Sequence, residues 1–414
     1  MKFIENYLQL FAVQTTLLNS LGNDLSPEMK TFYDMTLLDE AQANLVHHQF
    51  GQKRPIPANK GKTIEFRRFS SLPKALAPLT EGVTPAGNNL DVTTVTATVH
   101  QYGDFISQSD VLELTAIDNT IVEATKILGR QAGVTLDTVV REVLMTGTNV
   151  MFVPTVSEGT ETVVTTRGKL NKTAVLNVKT IMQAVAKLRA QNAPTIGGDY
   201  VAIIHPYAAY DIMRDNEWTD AAKYGAPTQL FEGEIGKIAG VRFVQSTEAK
   251  IFKGAPLGTG EMKVNHGAGY TGAITSITFD GTTVTEDELI GRYININGVV
   301  AKITDNTTTT ITFDSTNFGT IADDDVVYPG EGGAENVSVF GTIVLGEGAY
   351  GVTEVSGGGL QTIVKQKGSA GTADPLDQRS SVGWKALETA EILNQNYMVR
   401  IESVSSVFSS AAAN

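Results

Sequence analysis

The sequence predicts a mixed α+β chain whose parts are built to meet other copies, and three observations carry that reading. First, Asn119 to Met145 reads as one long helix. Apolar or small residues fall at Ile121, Ala124, Leu128, Ala132, Leu136, Val139 and Val143, steps of three and four that give one buried stripe. At about 1.5 Å per residue it is roughly 40 Å long. Second, a candidate β-hairpin from Lys62 to Tyr102 precedes it, with a long tip holding Pro73, Pro78, Gly82, Pro85 and Gly87. Two strands with so much loop have too little core of their own. Third, a compact α/β region is followed by a β-rich segment of different composition. An arm that cannot bury itself, feeding a long helix, points to assembly rather than to chemistry.

The elements follow in chain order. Residues Met1 to Gly22 form a weakly amphipathic extension. Ser26-Pro27-Glu28 then opens a helix, with a capping hydroxyl, proline at the first helical position and an acid near the positive end. It is expected to run to about Phe50, with Met35, Leu38, Ala41 and Leu45 on one face, and to stop at Gly51. Gln52 to Lys62 is a basic, proline-containing connector. Thr63 to Phe69 and Val92 to His100 alternate as strands. Phe105 to Ser107 is a short strand. Ser109 or Asp110 caps a short helix through Leu114, and Asp118 or Asn119 caps the long one. Val150 to Val164 is β or loop.

The α/β region begins with a helix from Asn177 to Gln191, whose face is Val178, Ile181, Val185 and Leu188. Tyr200 to Ile204 is a buried strand, Pro206 to Arg214 a helix, and Val241 to Val244 a strand after a turn. The next segment alternates β-runs (Ile274 to Phe279, Tyr293 to Ile296, Val299 to Ile303, Thr309 to Phe313) with Gly, Asp and Asn turns. Asn336 to Leu345 and Leu360 to Lys367 return to strands. Trp384 to Val404 reads as a hairpin turning at Asn394-Gln395-Asn396.

Composition bounds the function. The 414 residues are 42% hydrophobic, enough for a real core, and only 19% charged. The net charge of −13 disfavours general nucleic-acid binding by the whole chain. Residues 254–335 hold three bases and twelve acids, a net −9 that leaves −4 for the rest. The absence of cysteine excludes disulfides, zinc thiolates and cysteine nucleophiles. No apolar run is long enough to span a membrane as a helix. No cleavable signal is read at the start, so a cytosolic product is expected.

A search for chemistry finds none. His47-His48 are adjacent on an expected helix and point to different faces, so two solvated or edge histidines are the reading. His205 before Pro206 is a structural turn residue, with no serine or acid motif beside it. Gly233-Glu234-Ile235-Gly236-Lys237-Ile238-Ala239-Gly240 lacks a phosphate loop's ending and leads into a strand. Asp323-Asp324-Asp325 is a set of carboxylates open to Ca²⁺, but a solvated acidic loop is the plainer reading. Arg67-Arg68 with Lys60 and Lys62 form a basic cluster on the arm, interleaved with Phe66 and Phe69. Pairing with acids of another protein chain is preferred there to nucleic acid. No catalytic, cofactor or metal site is expected.

The order of elements, with Ser26-Pro27-Glu28-Met29-Lys30-Thr31-Phe32-Tyr33-Asp34, Gly61-Lys62-Thr63-Ile64-Glu65-Phe66-Arg67-Arg68, Leu79-Thr80-Glu81-Gly82-Val83-Thr84-Pro85, Gln101-Tyr102-Gly103-Asp104, His205-Pro206 and Gly240-Val241-Arg242-Phe243, resembles the tailed-phage major capsid proteins of Hong Kong 97-like fold, and among them the family of Schitoviridae-type phages and their relatives. The likeness covers roughly Leu25 to Ile251 and Val337 to Ser403. It implies an N-terminal arm (1–55), an E-loop hairpin (56–104) and a peripheral domain with the spine helix (105–175 and 384–414). It implies also an axial domain (176–253 and 336–383). Residues 254–335 depart from the pattern as an inserted acidic β-domain, expected on the outer face of a shell, away from DNA. Its flanking glycines (Gly254, Gly258, Gly260, Gly330, Gly332, Gly333) read as hinges. There it would face decoration proteins, host glycans or neighbouring capsomers, or be a passive solvated domain.

The resemblance further implies homo-oligomerisation into hexamers and pentamers of an icosahedral head enclosing double-stranded DNA. Scaffold, portal and decoration proteins are candidate partners, and no membrane or cofactor is expected. Removal of an N-terminal propeptide is not expected. Candidate inter-subunit residues on the E-loop are Lys62, Glu65, Arg67, Arg68, Lys74 and Glu81, with Glu113 and Glu123 as candidate partners. Two alternatives stay open: an encapsulin-type nanocompartment shell, and a secreted β-rich adhesin, against which the missing signal peptide weighs.

Overall fold

A computed structural model describes residues 37, 38, 40, 41 and 45–414, save 58, 70, 71, 73, 77, 80, 83, 85, 86, 116–119, 220–235, 357 and 369–375. The expected extension to Gly22, the helix start at Ser26, Met35 and the caps Asp118 and Asn119 lie outside the described residues. The chain divides into two compact units. One comprises Lys53–Val139, Val352–Thr389 and the described residues of Met1–Leu45. The other comprises Val46–Gln52, Val140–Gly351 and Ala390–Asn414. Residues 352–383 therefore group with the arm and long helix, not with 176–253 as expected.

In the first unit, the strand Arg379–Ile392 is the hub of a five-stranded sheet. His100–Ser109 pairs with it residue for residue, from Ser109 opposite Arg379 to His100 opposite Glu388. This ten-residue strand replaces the three residues expected at Phe105 to Ser107, because a partner of that length carries the antiparallel ladder along all of it. Alternate residues of the hub, Val382, Trp384 and Ala386, face one way and pack with Leu37, Leu128, Ala132 and Leu136. Gln131 ties this layer together. Its amide donates to Asp104 (2.6 Å) and its carbonyl accepts from the Trp384 indole (3.3 Å). That hydrogen bond, with one from the Phe105 amide, holds the Asp104 carboxyl below its ordinary pKa.

The long helix spans Thr120–Met145. Its buried apolar stripe includes Ala124, Leu128, Ala132, Leu136, Val140 and Leu144, and Thr125, Asp137 and Arg141 are buried as well. The expected Val139 and Val143 are only half-buried. Repeated steps of four advance about 40° each on a helix of 3.6 residues per turn, so the stripe winds round the axis. Leu37, Leu38, Glu40 and Ala41 are helical, but Leu45 is not and His47 to Phe50 form a turn. The early helix thus ends before the expected Phe50. Its approach to the long helix is close: a Cβ on Gly133 would lie 2.4 Å from the Ala41 carbonyl oxygen, and one on Gly129 2.9 Å from that of Leu37. Arg130 and Glu40 bridge the same crossing at 2.8 Å.

The second unit holds a seven-stranded sheet, ordered Val150–Phe152, Met398–Val404, Val339–Leu345, Tyr200–Ile204, Val241–Gln245 and Lys237–Ile238, with Ile251–Phe252 paired to Val339–Leu345. Its three middle strands are buried throughout, as strands covered on both faces must be. Tyr200–Ile204 and Val241–Gln245 run parallel, and the helix Pro206–Met213 lies between them in sequence. That helix is capped by the His205 ring, whose Nδ1 accepts from the Tyr207 amide at 3.1 Å. Burial pushes this imidazole down to about 4, which keeps it neutral and able to accept. The helix Val178–Ala190 is capped by Asn177.

The expected terminal hairpin does not form. Arg379–Ile392 belongs to the five-stranded sheet, and Met398–Val404 lies between Val150–Phe152 and Val339–Leu345 in the seven-stranded one. Every residue of Met398–Val404 is buried, so it needs neighbours on both edges, which a hairpin at the chain's end would not supply. Glu402, fully buried, accepts both ends of the Arg167 guanidinium (2.7 and 2.6 Å) and the Arg400 Nε (2.9 Å). Arg167 also lies 3.5 Å over the Phe252 ring.

Within the same unit, residues 263–329 form a separate antiparallel six-stranded sheet, in the order Lys263–Val264, Ala273–Asp280, Thr310–Asn317, Val299–Asn306, Tyr293–Ile296, Tyr328–Pro329. It has its own core, which includes Phe279, Ile294, Ile303, Ile311, Phe313 and Phe318. The two ends of the segment are pinned together by one side chain. The Asn336 amide accepts from the Gly254 N–H (3.0 Å) and donates to the Gly254 carbonyl (2.9 Å). The flanking glycines are not hinges. A Cβ on Gly254 would meet Pro329 at 2.1 Å, and one on Gly333 the Leu170 carbonyl at 2.4 Å. They are glycines because neighbouring chain passes too close for a side chain.

Candidate assembly surface

The arm is a free two-stranded ribbon. Thr63–Phe69 pairs only with Val92–Thr98 among the described strands, from Thr63 opposite Thr98 to Phe69 opposite Val92. Side chains alternate between its faces. Ile64, Phe66 and Arg68 share one face with Ala97, Val95 and Thr93. Glu65, Arg67 and Phe69 share the other with Thr96, Thr94 and Val92. Only Phe66 and Ala97 are buried on these strands. Farther out the apolar side chains stand in solvent: Phe69 is 62% exposed, Leu76 82% and Leu79 77%, with Leu72 and Leu90 close behind.

The candidate charges fall along this ribbon. Lys62, Glu65, Arg67, Arg68, Lys74 and Glu81 are all exposed. Arg67 lies 3.6 Å from Glu65 on its own strand, both largely solvated, a contact worth about 0–1 kcal/mol. Glu123 pairs with Lys126 one turn along the long helix at 2.8 Å. Glu113 belongs to the helix Asp110–Thr115, and its side chain lies outside the described residues. Within the chain, then, Arg67 lies beside Glu65 and Glu123 beside Lys126.

Sequence reasoning weighed the charges and missed the leucines. Leu72, Leu76, Leu79 and Leu90 sit in a proline-rich tip that offers no core, and that mismatch was the available signal. A second exposed apolar set, Phe105, Val111, Leu112 and Ile127, interrupts otherwise polar positions of one strand and two helices.

The groups weighed for chemistry are in structural positions. His47 is buried, not solvated, and its carbonyl accepts the Tyr350 hydroxyl. Asp323 and Asp325 accept the His266 and Ala322 amides at 2.7 Å each, as loop-shaping carboxylates do. Lys237 pairs with Asp199. Among the described residues no three metal-ligating side chains come together, and no helix is long and apolar enough to cross a membrane.

Residues 91–277 match the family model described as phage capsid protein. No curated protein matches the chain in sequence. Three capsid structures show the same fold at low identity. The capsid of cyanophage P-SCSP1u is 13% identical, covering 87% of this chain and 89% of that one, with a TM-score of 0.52. The capsid of Ralstonia phage GP4 is 13% identical over 87% and 88%, at 0.51. The capsid of cyanophage Pam1 is 12% identical over 95% and 98%, at 0.51. An α+β chain with an arm that exposes its apolar side chains thus matches the phage capsid protein family over residues 91–277 and shares the fold of these phage capsid subunits.

Proposed function

We propose that the chain is a major capsid protein of Hong Kong 97-like, Schitoviridae-type architecture that self-assembles into hexamers and pentamers of an icosahedral head around double-stranded DNA. The arm carries this reading. A two-stranded ribbon is marginal in water by itself, and this one holds Phe69, Leu72, Leu76, Leu79 and Leu90 in solvent. Its natural cover is a second copy of the chain. In this reading the ribbon is the E-loop and Thr120–Met145 the spine helix. The region around Tyr200–Ile204 and Val339–Leu345 belongs to the axial domain. The segment 254–335, which holds the six-stranded sheet, is an insertion whose net −9 faces away from packaged DNA, which carries about one negative charge per 1.7 Å of axis. Arg67 and Arg68 then meet acids of a neighbour, with Glu113 and Glu123 as candidates. Scaffold and portal proteins act during assembly in the host cytoplasm.

Electron microscopy of the purified chain tests this. Wild type is expected to give closed shells. Deletion of residues 70–89 is expected to leave a folded subunit, by circular dichroism, that forms none. Normal shells from the deletion would remove the arm from the mechanism, and absence of any shell from wild type in the presence of scaffold would remove self-assembly.

A further inference from the structure

A cleft of 460 Å³ opens where the six-stranded sheet meets the rest of its unit. That volume falls in the range of small-molecule sites, roughly 300–1,000 Å³. Its polar lining is Lys169, Asn295, Asn297, Asp325, Tyr328 and Glu335, drawn from four separate segments.

Each of these groups has capacity to spare. Asn295 is 2% exposed, and its Nδ2 is held by the carbonyls of Gly168 (3.0 Å) and Gly333 (3.3 Å). That fixes the amide's orientation, and its Oδ1 has no hydrogen-bond partner. A buried acceptor left open is rare in a folded protein. Asn297 spends its Nδ2 on the Phe318 and Thr320 carbonyls, leaving its oxygen. Asp325 uses one oxygen for the Ala322 amide. Tyr328 keeps its proton, since burial and then the charges of Glu335 and Glu261 raise its pKa. Two rim residues, Asn297 and Glu335, sit in the left-handed region at φ 53°. For a glutamate that conformation is costly and marks a side chain held in place by its surroundings.

The chemistry of the lining selects the ligand. Two carboxylates against one ammonium disfavour phosphate or sulfate. No cluster of three metal ligands forms among the described residues. The lining alternates these polar groups with apolar surface at Ile296, Val326 and Ala334, which suits a guest that is neither wholly apolar nor ionic. What remains is a neutral ligand whose groups both donate and accept, beside an aromatic ring: Lys169 and Tyr328 donate, and Asn297, Asp325 and Glu335 accept. We propose that this cleft is a saccharide-binding site, taking one or two sugar units at the end of a neutral glycan. The inference stands independently of the shell reading.

Saturation-transfer NMR on the full-length protein tests it, using methyl α-glucoside, methyl α-mannoside, methyl β-galactoside and N-acetylglucosamine as probes, with inorganic phosphate, followed by phosphorus NMR, as the anion control. At least one sugar is expected to bind at millimolar concentration. Glu335→Gly relieves the left-handed backbone while removing a carboxylate, and Tyr328→Leu removes the ring and hydroxyl. Each is expected to weaken binding tenfold or more, whereas Asp314→Asn, exposed on the same sheet, leaves it unchanged. No sugar signal, binding undiminished in both cleft variants, or phosphate binding in place of sugar would each overturn the proposal.

Discussion

Gly133→Ala sets two effects of opposite sign against each other. Alanine is better than glycine inside a helix by about 1 kcal/mol, so propensity alone predicts a more stable protein. The structure predicts the reverse. The new Cβ would lie 2.4 Å from the Ala41 carbonyl oxygen and 3.0 Å from its Cα, and backbone atoms cannot swing aside as a side-chain tip can. Forcing the methyl in costs about 1–3 kcal/mol as overpacking. The escape route lifts the Leu37–Ala41 stretch away. That re-exposes Leu37, which is fully buried and contributes roughly 1.5–3 kcal/mol in place. Less the propensity gain, the net loss is about 0.5–2 kcal/mol. Gly129→Ala is the milder case, with its nearest atom at 2.9 Å. Urea unfolding followed by tryptophan fluorescence is the assay, since Trp384 sits in the same cluster. The expected order of midpoints is wild type, then Gly129→Ala, then Gly133→Ala. A Gly133→Ala protein as stable as wild type, or more so, would refute the close crossing.

Other outcomes follow from features of the same units. Burial, then the charges of Glu354 and Asp137, raise the Glu388 carboxyl from 4.5 to about 8 against the opposing charge of Lys53. The folded state therefore holds a proton the unfolded chain releases across that window. Stability should fall as pH rises through it, by at most about 1.4 kcal/mol per unit, and Glu388→Gln should flatten the profile measured by thermal melting. Glu402→Ala leaves the buried Arg400 without its carboxylate and should destabilise the subunit by about 3–5 kcal/mol, against near-neutrality if the triad were solvated. Reversing Arg67 and Arg68 to glutamate should slow assembly at low salt by light scattering, an effect that fades as salt screens it. Unchanged rates at every ionic strength would show that these arginines meet no acid. Replacing residues 258–332 with a short Gly/Ser linker should leave the rest of the subunit folded, because that segment has a core of its own. Loss of all cooperative unfolding would contradict this.

Much of the architecture was legible because it is written in local signals. Asn177, His205-Pro206 and the alternation of Thr63 to Phe69 each mark a boundary within a few residues of where the structure puts it. The acidic segment declared itself by charge and turn density. What could not be read was pairing at long range. The strand His100–Ser109 is long only because Arg379–Ile392 lies beside it. Met398–Val404 is taken from its expected hairpin by two other strands. The glycines around Gly254 and Gly330 have the composition of hinges, and only three-dimensional proximity shows them to be packing sites. On the arm the sequence draws attention to the charged residues and not to the exposed leucines, since burial is a property of the fold.

The Asn336–Gly254 clamp bears on how the chain finds its fold. The residues it joins are 82 positions apart in sequence. Just outside it, Ile251–Phe252 pairs with Val339–Leu345, Ile251 opposite Phe340. For the larger sheet, bringing those strands together means closing a very long loop, a step whose entropy slows folding. If the intervening sheet folds first, its own ends meet, and the long closure becomes a hairpin whose turn is an entire folded body. The same arrangement makes that body an exchangeable cassette. Any sequence that folds with its ends one hydrogen bond apart could take its place, and the surrounding strands would register no difference.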